Sequence, residues 1–425
     1  MNRIKLVLIN HFSNPLVREM LELEPEGKHV KYRDLGIWNT NIIEGLKHRD
    51  DIDLYVISPH VGMKNKEQAF VHEGVHYFFY RKELPYPWCR IESHFFSQSS
   101  RNFPRNRKIV KQIMQRIKPD IVNLIGAENA YYSITALDVE NIPVIIHLQT
   151  VYANPDRIKN TGSADKKRWE VELKIFHKTP YMACNSQRYY DLIKQYEPNA
   201  IVFPRKWPVA EFPAIPEVEK KYDFVYFARF LNKNKGFDNA VEALGRFIKV
   251  HPNVKLLAVG RKDNDWAKIE TRINELGLND AIETHNSITD YRDMLQFVRQ
   301  GRFALLPITM DIISGTILES IRMKMPVVTC RTCGTPTLNE KRETVLISEI
   351  GDSDGLCQNM LQLYENVDLQ NKLIENGLLY LKEMDDENAH NVDTTVAQYK
   401  AVMEHYYHGV PIPQEMLFKE NIMFI

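Results

Sequence analysis

The chain reads as an α/β protein built from two doubly wound, parallel-sheet domains. Three observations predict this: apolar β-branched runs alternating with helical periodicity, a proline-rich break near the middle, and a length of 425 residues. Alternation of strand and helix signals marks βαβ units around parallel sheets. At roughly 100–200 residues per domain, a chain this long exceeds one core.

In the first half, strands are expected near residues 3–10, 52–58, 120–125, 142–148, 181–184 and 200–204. Helices fall between them, over 36–49, 105–118, 166–178 and 186–196. The pattern restarts with strands near 222–227, 254–259, 303–308, 326–330 and 343–347 and helices near 238–250, 264–276, 290–300 and 316–324. Between the halves, Pro204, Pro208, Pro213 and Pro216 place four prolines in 13 residues, which neither a helix nor a central strand accommodates. The expected division is a first domain over 1–205, a linker over 206–220, a second domain over 221–390, and a terminal helix and tail over 391–425 that packs back on the first domain. Two such domains are expected to face a central cleft, with ligands beyond the carboxyl ends of the strands.

Composition narrows the class. Hydrophobic residues make up 44% and charged residues 26%, a globular balance. Fifty-five basic and 55 acidic residues cancel, which argues against a whole-surface nucleic-acid binder. The amino terminus enters a short apolar strand at once and lacks a small-residue cleavage site. No apolar run approaches the ~18–20 residues that span a bilayer. Five cysteines at 89, 184, 330, 333 and 357 form no disulfide framework and suit a reducing compartment. A cytoplasmic protein is the expectation.

Two clusters carry chemistry. In the first, Phe227-Ala228-Arg229-Phe230-Leu231-Asn232-Lys233-Asn234-Lys235-Gly236-Phe237-Asp238, a strand is expected to end at Phe227 and a helix to start after Asp238 as N-cap. Arg229 and Lys235 then stand on a strand-to-helix loop, where a forked donor, a mobile cation and free backbone N–H groups would meet a diphosphate. Basic βα loops are also often merely solvated. In the second cluster, Pro307 to Glu319, a strand feeds a turn and a helix whose start, Ser314-Gly315-Thr316, offers unpaired N–H groups to an anion. Glu319 could take two sugar hydroxyls one turn in. Thr316-Ile317-Leu318-Glu319 equally reads as a capping box, in which Glu319 serves only backbone donors.

Taken together, the clusters resemble the retaining glycosyltransferases of GT-B fold, the glycogen-synthase-like group (glycosyl transferases group 1, family 4). Members carry G-R-L-x(4)-K-G and P-S-x-x-E-x-F-G-x(4)-E-A; this chain has A-R-F-x(4)-K-G and P-I-x-x-D-x-I-S-x(4)-E-S. Leu256-Leu257-Ala258-Val259-Gly260 matches the family's strand ending in glycine, and Met325-Pro326-Val327-Val328 its G-x-P-V-V start. The likeness covers about 222–350 well and the first half only in layout.

The resemblance implies that Arg229 and Lys235 hold the donor diphosphate, with Gly236 and Gly260 in the adjoining loops. It implies that Glu319 takes ribose hydroxyls, that Asp311 contacts the transferred sugar, and that Ser314, Gly315 and Thr316 lie against phosphate. His285 and Asn286 fall at the base-binding loop, and His147 ends a strand where many members carry a histidine, although counting from Pro143 puts Gln149 there. The chain departs from the pattern with Asp311 for glutamate, Ser314 for glycine, and no Gly-Gly pair in Asn10-His11-Phe12-Ser13-Asn14-Pro15.

The implied activity is transfer of a sugar from a nucleotide diphosphate to an acceptor hydroxyl, with retention, in polysaccharide or cell-envelope glycan assembly. No metal or cofactor is expected; a UDP- or GDP-sugar is the substrate, and a saccharide or lipid-linked saccharide the acceptor. The alternatives are a sugar-nucleotide epimerase of the same fold and a non-catalytic nucleotide-sugar binder. Residues 93–118 carry Arg101, Arg105, Arg107, Lys108, Lys111, Arg116 and Lys118 with no acid, beside Phe95, Phe96 and Phe103. Such a segment fits either a solvated helix face or contact with the inner face of an anionic membrane. Cys330-Arg331-Thr332-Cys333 lacks the second pair of a zinc site, and Asp263-Asn264-Asp265 lacks the remaining ligands of a calcium loop.

Overall fold

The computed structural model describes residues 3–27, 30–32, 34–84, 88–95, 102–154, 163–208, 212–309, 313–332 and 334–419. The chain divides into two compact units, one of residues 1–210 with 388–424, the other of residues 211–387.

The first unit holds an eight-stranded sheet: β1 (Ile4–Ile9), β2 (Ile52–His60), β3 (Glu67–His72), β4 (Val75–Arg81), β5 (Ile121–Ile125), β6 (Val144–His147), β7 (Tyr181–Cys184) and β8 (Ile201–Pro204). Their order is β3-β4-β2-β1-β5-β6-β7-β8, parallel throughout except for β3, which pairs antiparallel with β4. β5, β6 and β7 are buried at every residue, as a sheet covered on both faces requires. Hydrophobic clusters on its two faces include Val7, Ile9 and Val122 on one side and Leu6, Leu8 and Ile121 on the other, the alternation of a strand.

The β3–β4 hairpin is absent from the sequence expectation. β3 is an edge strand with polar, half-exposed positions, so it lacks a buried run. Its readable signal is the Glu73-Gly74 pair between two β-rich segments; both residues have positive φ, +47° and +78°, as a type I′ hairpin turn requires.

Helix Asn391–His408 belongs to the first unit because its apolar stripe is buried there: Val396, Tyr399 and Val402 pack in the cluster that contains Leu6, Ile43 and Ile145. Asn391 and Gln398 donate from their amides to the carbonyls of Trp207 and Pro204, both at 2.9 Å.

The second unit holds six parallel strands: β9 (Tyr222–Phe230), β10 (Leu256–Arg261), β11 (Ile282–His285), β12 (Gly301–Leu306), β13 (Val327–Cys330) and β14 (Leu346–Ser348), in the order β11-β10-β9-β12-β13-β14. The proline-rich stretch has no regular structure over 212–221. It is nonetheless tied to this unit: Arg299, nearly buried, donates to the Ile215 carbonyl and pairs with Glu217. β11, four residues long at the sheet edge, also escapes the sequence reading.

Two boundaries differ from expectation. β9 runs on through Phe230, so Arg229 stands in the strand; the extension pairs Phe230 with Arg261 after a register shift between Val259 and Arg261. The next helix, Phe237–Phe247, is capped by Gly236 in the left-handed region, which leaves Asp238 inside the first turn instead of at the cap.

Candidate functional site

All strands of the second sheet are parallel, so their carboxyl ends share one edge. β9 and β12 are neighbours there, and the chain leaves them towards opposite sides of the sheet, which makes the gap between them the topological switch point. The loops after these two strands are the two sequence clusters.

They are joined backbone to backbone. Gly236 has φ +77°, and a Cβ there would lie 1.8 Å from the Pro307 carbonyl oxygen. The Thr309 hydroxyl donates to the Asn234 carbonyl at 2.9 Å. Asn232 fixes the first loop from within: its side-chain oxygen accepts from the Lys235 N–H at 3.1 Å, and its amide nitrogen donates to Asp263 at 2.5 Å. Asp263 therefore braces the loop after β10 against the loop after β9. Gly260 admits the same approach, since a Cβ would stand 2.6 Å from the Ala228 carbonyl oxygen.

Arg229 is exposed, its guanidinium 5.5 Å from the Phe230 ring centroid, with Arg261 4.7 Å from the same ring. Lys235 is half-buried in the single turn Lys233–Lys235. Helix Gly315–Arg322 follows β12 in the chain, and Ser314 at its cap makes no side-chain bond to the helix backbone. The Ser314 hydroxyl instead meets the Thr316 hydroxyl at 2.9 Å. A Cβ at Gly315 would touch no described atom within 4 Å, so packing among the described residues does not demand glycine there.

Glu319 lies in the second turn of this helix, beyond capping-box reach of a cap at Ser314. Its carboxylate accepts the Tyr291 hydroxyl at 2.9 Å. Burial raises its pKa, and the Tyr291 hydrogen bond offsets part of that rise. Tyr291, the partner that sequence reasoning missed, opens helix Tyr291–Val298, where Asp290 caps by accepting the Asp293 N–H. His285 ends β11 and Asn286 follows it, at the far end of the same edge. The His285 ring lies 4.7 Å from Phe297 and its Nδ1 2.7 Å from the Asn286 carbonyl. No hydrogen bond among the described residues ties them to the β9 loop. Asp311 lies outside the described residues, as does Cys333; Cys330 is buried against Asn239.

His147 corrects an expectation. It has no exposed surface, and burial, then the charge of Arg205, lowers its pKa to about 3. Its Nδ1 meets the Asn123 amide at 2.9 Å, and that amide donates to the Tyr399 hydroxyl of the tail helix at 2.6 Å. It is a packed core histidine because β6 runs fully buried to its last residue. Gln149, two residues on, is half-exposed at the sheet edge.

The first unit has its own switch point, between β1 and β5. Around it stand His11, Glu128, Asn129 and Gln149. His11 Nδ1 meets the Tyr131 hydroxyl at 2.6 Å, and burial, then Lys82, lowers the imidazole to about 3. Gln149, with its amide turned to satisfy both ends, donates to Glu128 at 3.1 Å and accepts from the Trp38 indole N–H at 2.9 Å. Arg168 clamps the base of the group, donating to the Glu128 carbonyl at 2.8 Å and the Asn129 side chain at 2.9 Å, and to the Tyr152 hydroxyl.

The basic segment is partly spent. Phe96 and Arg101 lie outside the described residues. Arg105 pairs with Glu92, Arg107 with Asp138 and Arg116 with Glu67, all acids from elsewhere in the chain. No described helix is long and apolar enough to cross a membrane.

Fold and site define the class. Residues 221–366 match the family model described as Glycosyl transferases group 1. The fold is GT-B: sucrose-phosphate synthase from Thermosynechococcus elongatus superposes with a TM-score of 0.68 at 14% identity, over 94% of this chain and 100% of that one. An E. coli structure described as trehalose-6-phosphate bound with UDP-2-fluoro glucose gives 0.64 at 9% identity over 94% and 99%. HepE of Anabaena, in complex with UDP and glucose, gives 0.61 at 14% identity over 94% and 100%. No curated protein sequence matches the chain significantly. The second unit thus matches a glycosyl transferases group 1 model over residues 221–366, within a chain of GT-B fold.

Proposed function

We propose that the protein is a retaining, metal-independent glycosyltransferase that moves a sugar from a nucleoside diphosphate to an acceptor hydroxyl. The observation that supports it most is the Gly236–Pro307 approach, which joins the loop that follows Arg229 and carries Lys235 to the loop that follows β12. Charge develops on the leaving diphosphate as the glycosidic bond breaks, and preorganised cations and helix N–H groups stabilise it. Arg229, Lys235 and the start of helix Gly315–Arg322 suit that task. Glu319, a carboxylate held by Tyr291, suits two vicinal hydroxyls such as those of a ribose. Asp311 keeps its role against the transferred sugar by resemblance, as do retention and a setting in glycan assembly. Exposed Lys108, Lys111 and Lys118 support a secondary contact with an anionic membrane surface.

Thermal melts against UDP-, GDP- and ADP-sugars test this reading. A donor at 100 times its dissociation constant should stabilise the chain by about 2.7 kcal/mol. Arg229→Ala should abolish that shift and lower turnover roughly 10²–10³-fold. A shift without transfer to any acceptor would mark a nucleotide-sugar binder; no shift with any donor would remove the reading.

A further inference from the structure

We propose that β3, the outer strand of the first sheet, is a self-association edge at which two copies of the chain pair antiparallel about Ala69. The proposal stands apart from the transferase reading. β3 pairs on one side only, with β4. The Arg81 N–H donates to the Lys66 carbonyl at 3.0 Å, one step before the Glu67–Tyr80 pair. Bonded and non-bonded pairs alternate along an antiparallel ladder, so Glu67, Ala69 and Val71 turn their backbone N–H and C=O groups outward. Among the described residues no hydrogen bond reaches those groups.

Sheet edges are ordinarily blunted by lysine, proline, a bulge or a covering element. β3 contains no lysine or proline, and its register with β4 runs unbroken from Glu67 to His72. Ala69 is exposed, and Val71 is 59% exposed. The strand is also held by its alternate side chains. Gln68 donates to the Met20 carbonyl at 2.8 Å and accepts the Glu22 N–H at 2.9 Å, while Phe70 stacks on Tyr77 at 4.9 Å. An edge ordered in advance loses little entropy when a second strand joins it.

Symmetry and charge select the occupant. With Ala69 on the twofold axis, it faces Ala69 of the second copy and Glu67 faces Val71 of that copy, so every outward N–H and C=O meets its complement. The smallest side chain of the strand then lies at the axis. Exposed Lys64 and Lys66 precede the strand, and exposed Glu73, which pairs with Lys47 through one oxygen, follows it. Antiparallel pairing lays the lysine-bearing end of each copy beside the acidic end of the other. Parallel pairing would set lysine against lysine.

Sedimentation velocity and disulfide trapping on the full chain test this. The parent should sediment as a concentration-dependent mixture of monomer and dimer. Val71→Pro removes an outward N–H without touching the β4 ladder, so the dimer should be lost while the melting temperature stays near the parent's. Ala69→Cys brings two copies of one position to the ~5.5 Å Cα separation of a bonded pair, and should give a disulfide dimer under mild oxidant beyond the parent's background. Position 71 stands ~14 Å from its own copy in this register, so Val71→Cys should not. A monomer at every concentration, a dimer indifferent to Val71→Pro, or Ala69→Cys that traps no better than Val71→Cys would each overturn the proposal. If Val71→Pro unfolds the chain, the trapping pair decides: a dimer through Ala69→Cys alone supports the edge, and its absence overturns it.

Discussion

The two sheets solve the same problem differently at their switch points. At the β9/β12 edge, backbone meets backbone: Gly236 lies against Pro307, Thr309 reaches the Asn234 carbonyl, and the neighbouring cations Arg229 and Lys235 are exposed and half-buried. At the β1/β5 edge the surface is woven from side chains of scattered segments, with Trp38, Glu128, Gln149 and Arg168 bonded in series. A backbone-built site needs particular residues at fixed spacing, so it leaves a motif. A site woven from side chains needs only that donors find acceptors, and many sequences achieve that.

The largest effect should follow from filling the contact that joins the two loops of the second unit. Gly236→Ala forces a left-handed alanine and places its Cβ inside the Pro307 carbonyl. Destabilisation on the order of 4 kcal/mol is expected in urea or guanidinium titrations, with donor stabilisation lost. An alanine variant as stable as the parent, still stabilised by donor, would show that the loops are not coupled here and erase the contrast between the edges.

Legibility followed the same division. The strands and helices around Arg229, Lys235 and Glu319 could be read because parallel strands buried on both faces are continuous apolar runs, and helix Phe237–Phe247 repeats Ala240, Val241, Leu244 and Phe247 at helical spacing. Strand β3 and the short β11 could not, because neither has a buried run. Partners distant in sequence were also illegible. Nothing local announces that Tyr291 bonds Glu319, that Asn232 bonds Asp263, or that Tyr399 of the tail covers His147. A histidine ending a buried strand looks the same whether it opens on a ligand or on a packed helix.

Glu172 gives the woven edge a pH signature of its own. Its carboxyl has no exposed surface; one oxygen accepts the Ala153 N–H at 2.7 Å, which pins the segment that follows Gln149. Burial is the main cause that raises its pKa from an ordinary 4.5 to about 8. The folded chain therefore holds a proton that the unfolded chain releases, and stability contributed by the neutral acid is full below about 4.5 and declines as pH rises towards 8. Glu172→Gln keeps the shape and removes the titration. Melting curves across that window should show the parent losing stability relative to the variant as pH rises; parallel curves would mean the acid does not govern this loop.

The smallest change probes the other edge at the long-range side-chain bond between Tyr291 and Glu319. Tyr291 is 46% exposed, so Tyr291→Phe should leave the melting temperature nearly unchanged while removing the hydroxyl that Glu319 accepts. That bond favours the charged carboxylate and opposes the rise caused by burial. Without it, the Glu319 pKa moves further up, and the acid limb of donor binding should shift to higher pH in calorimetric titrations. At neutral pH the lost orientation should weaken donor binding by about 0.5–1.5 kcal/mol, the usual worth of one hydrogen bond. Unchanged affinity together with an unmoved acid limb would take Glu319 out of donor recognition. The donor edge would then rest on its backbone and cations alone, which makes the contrast with the first unit sharper still.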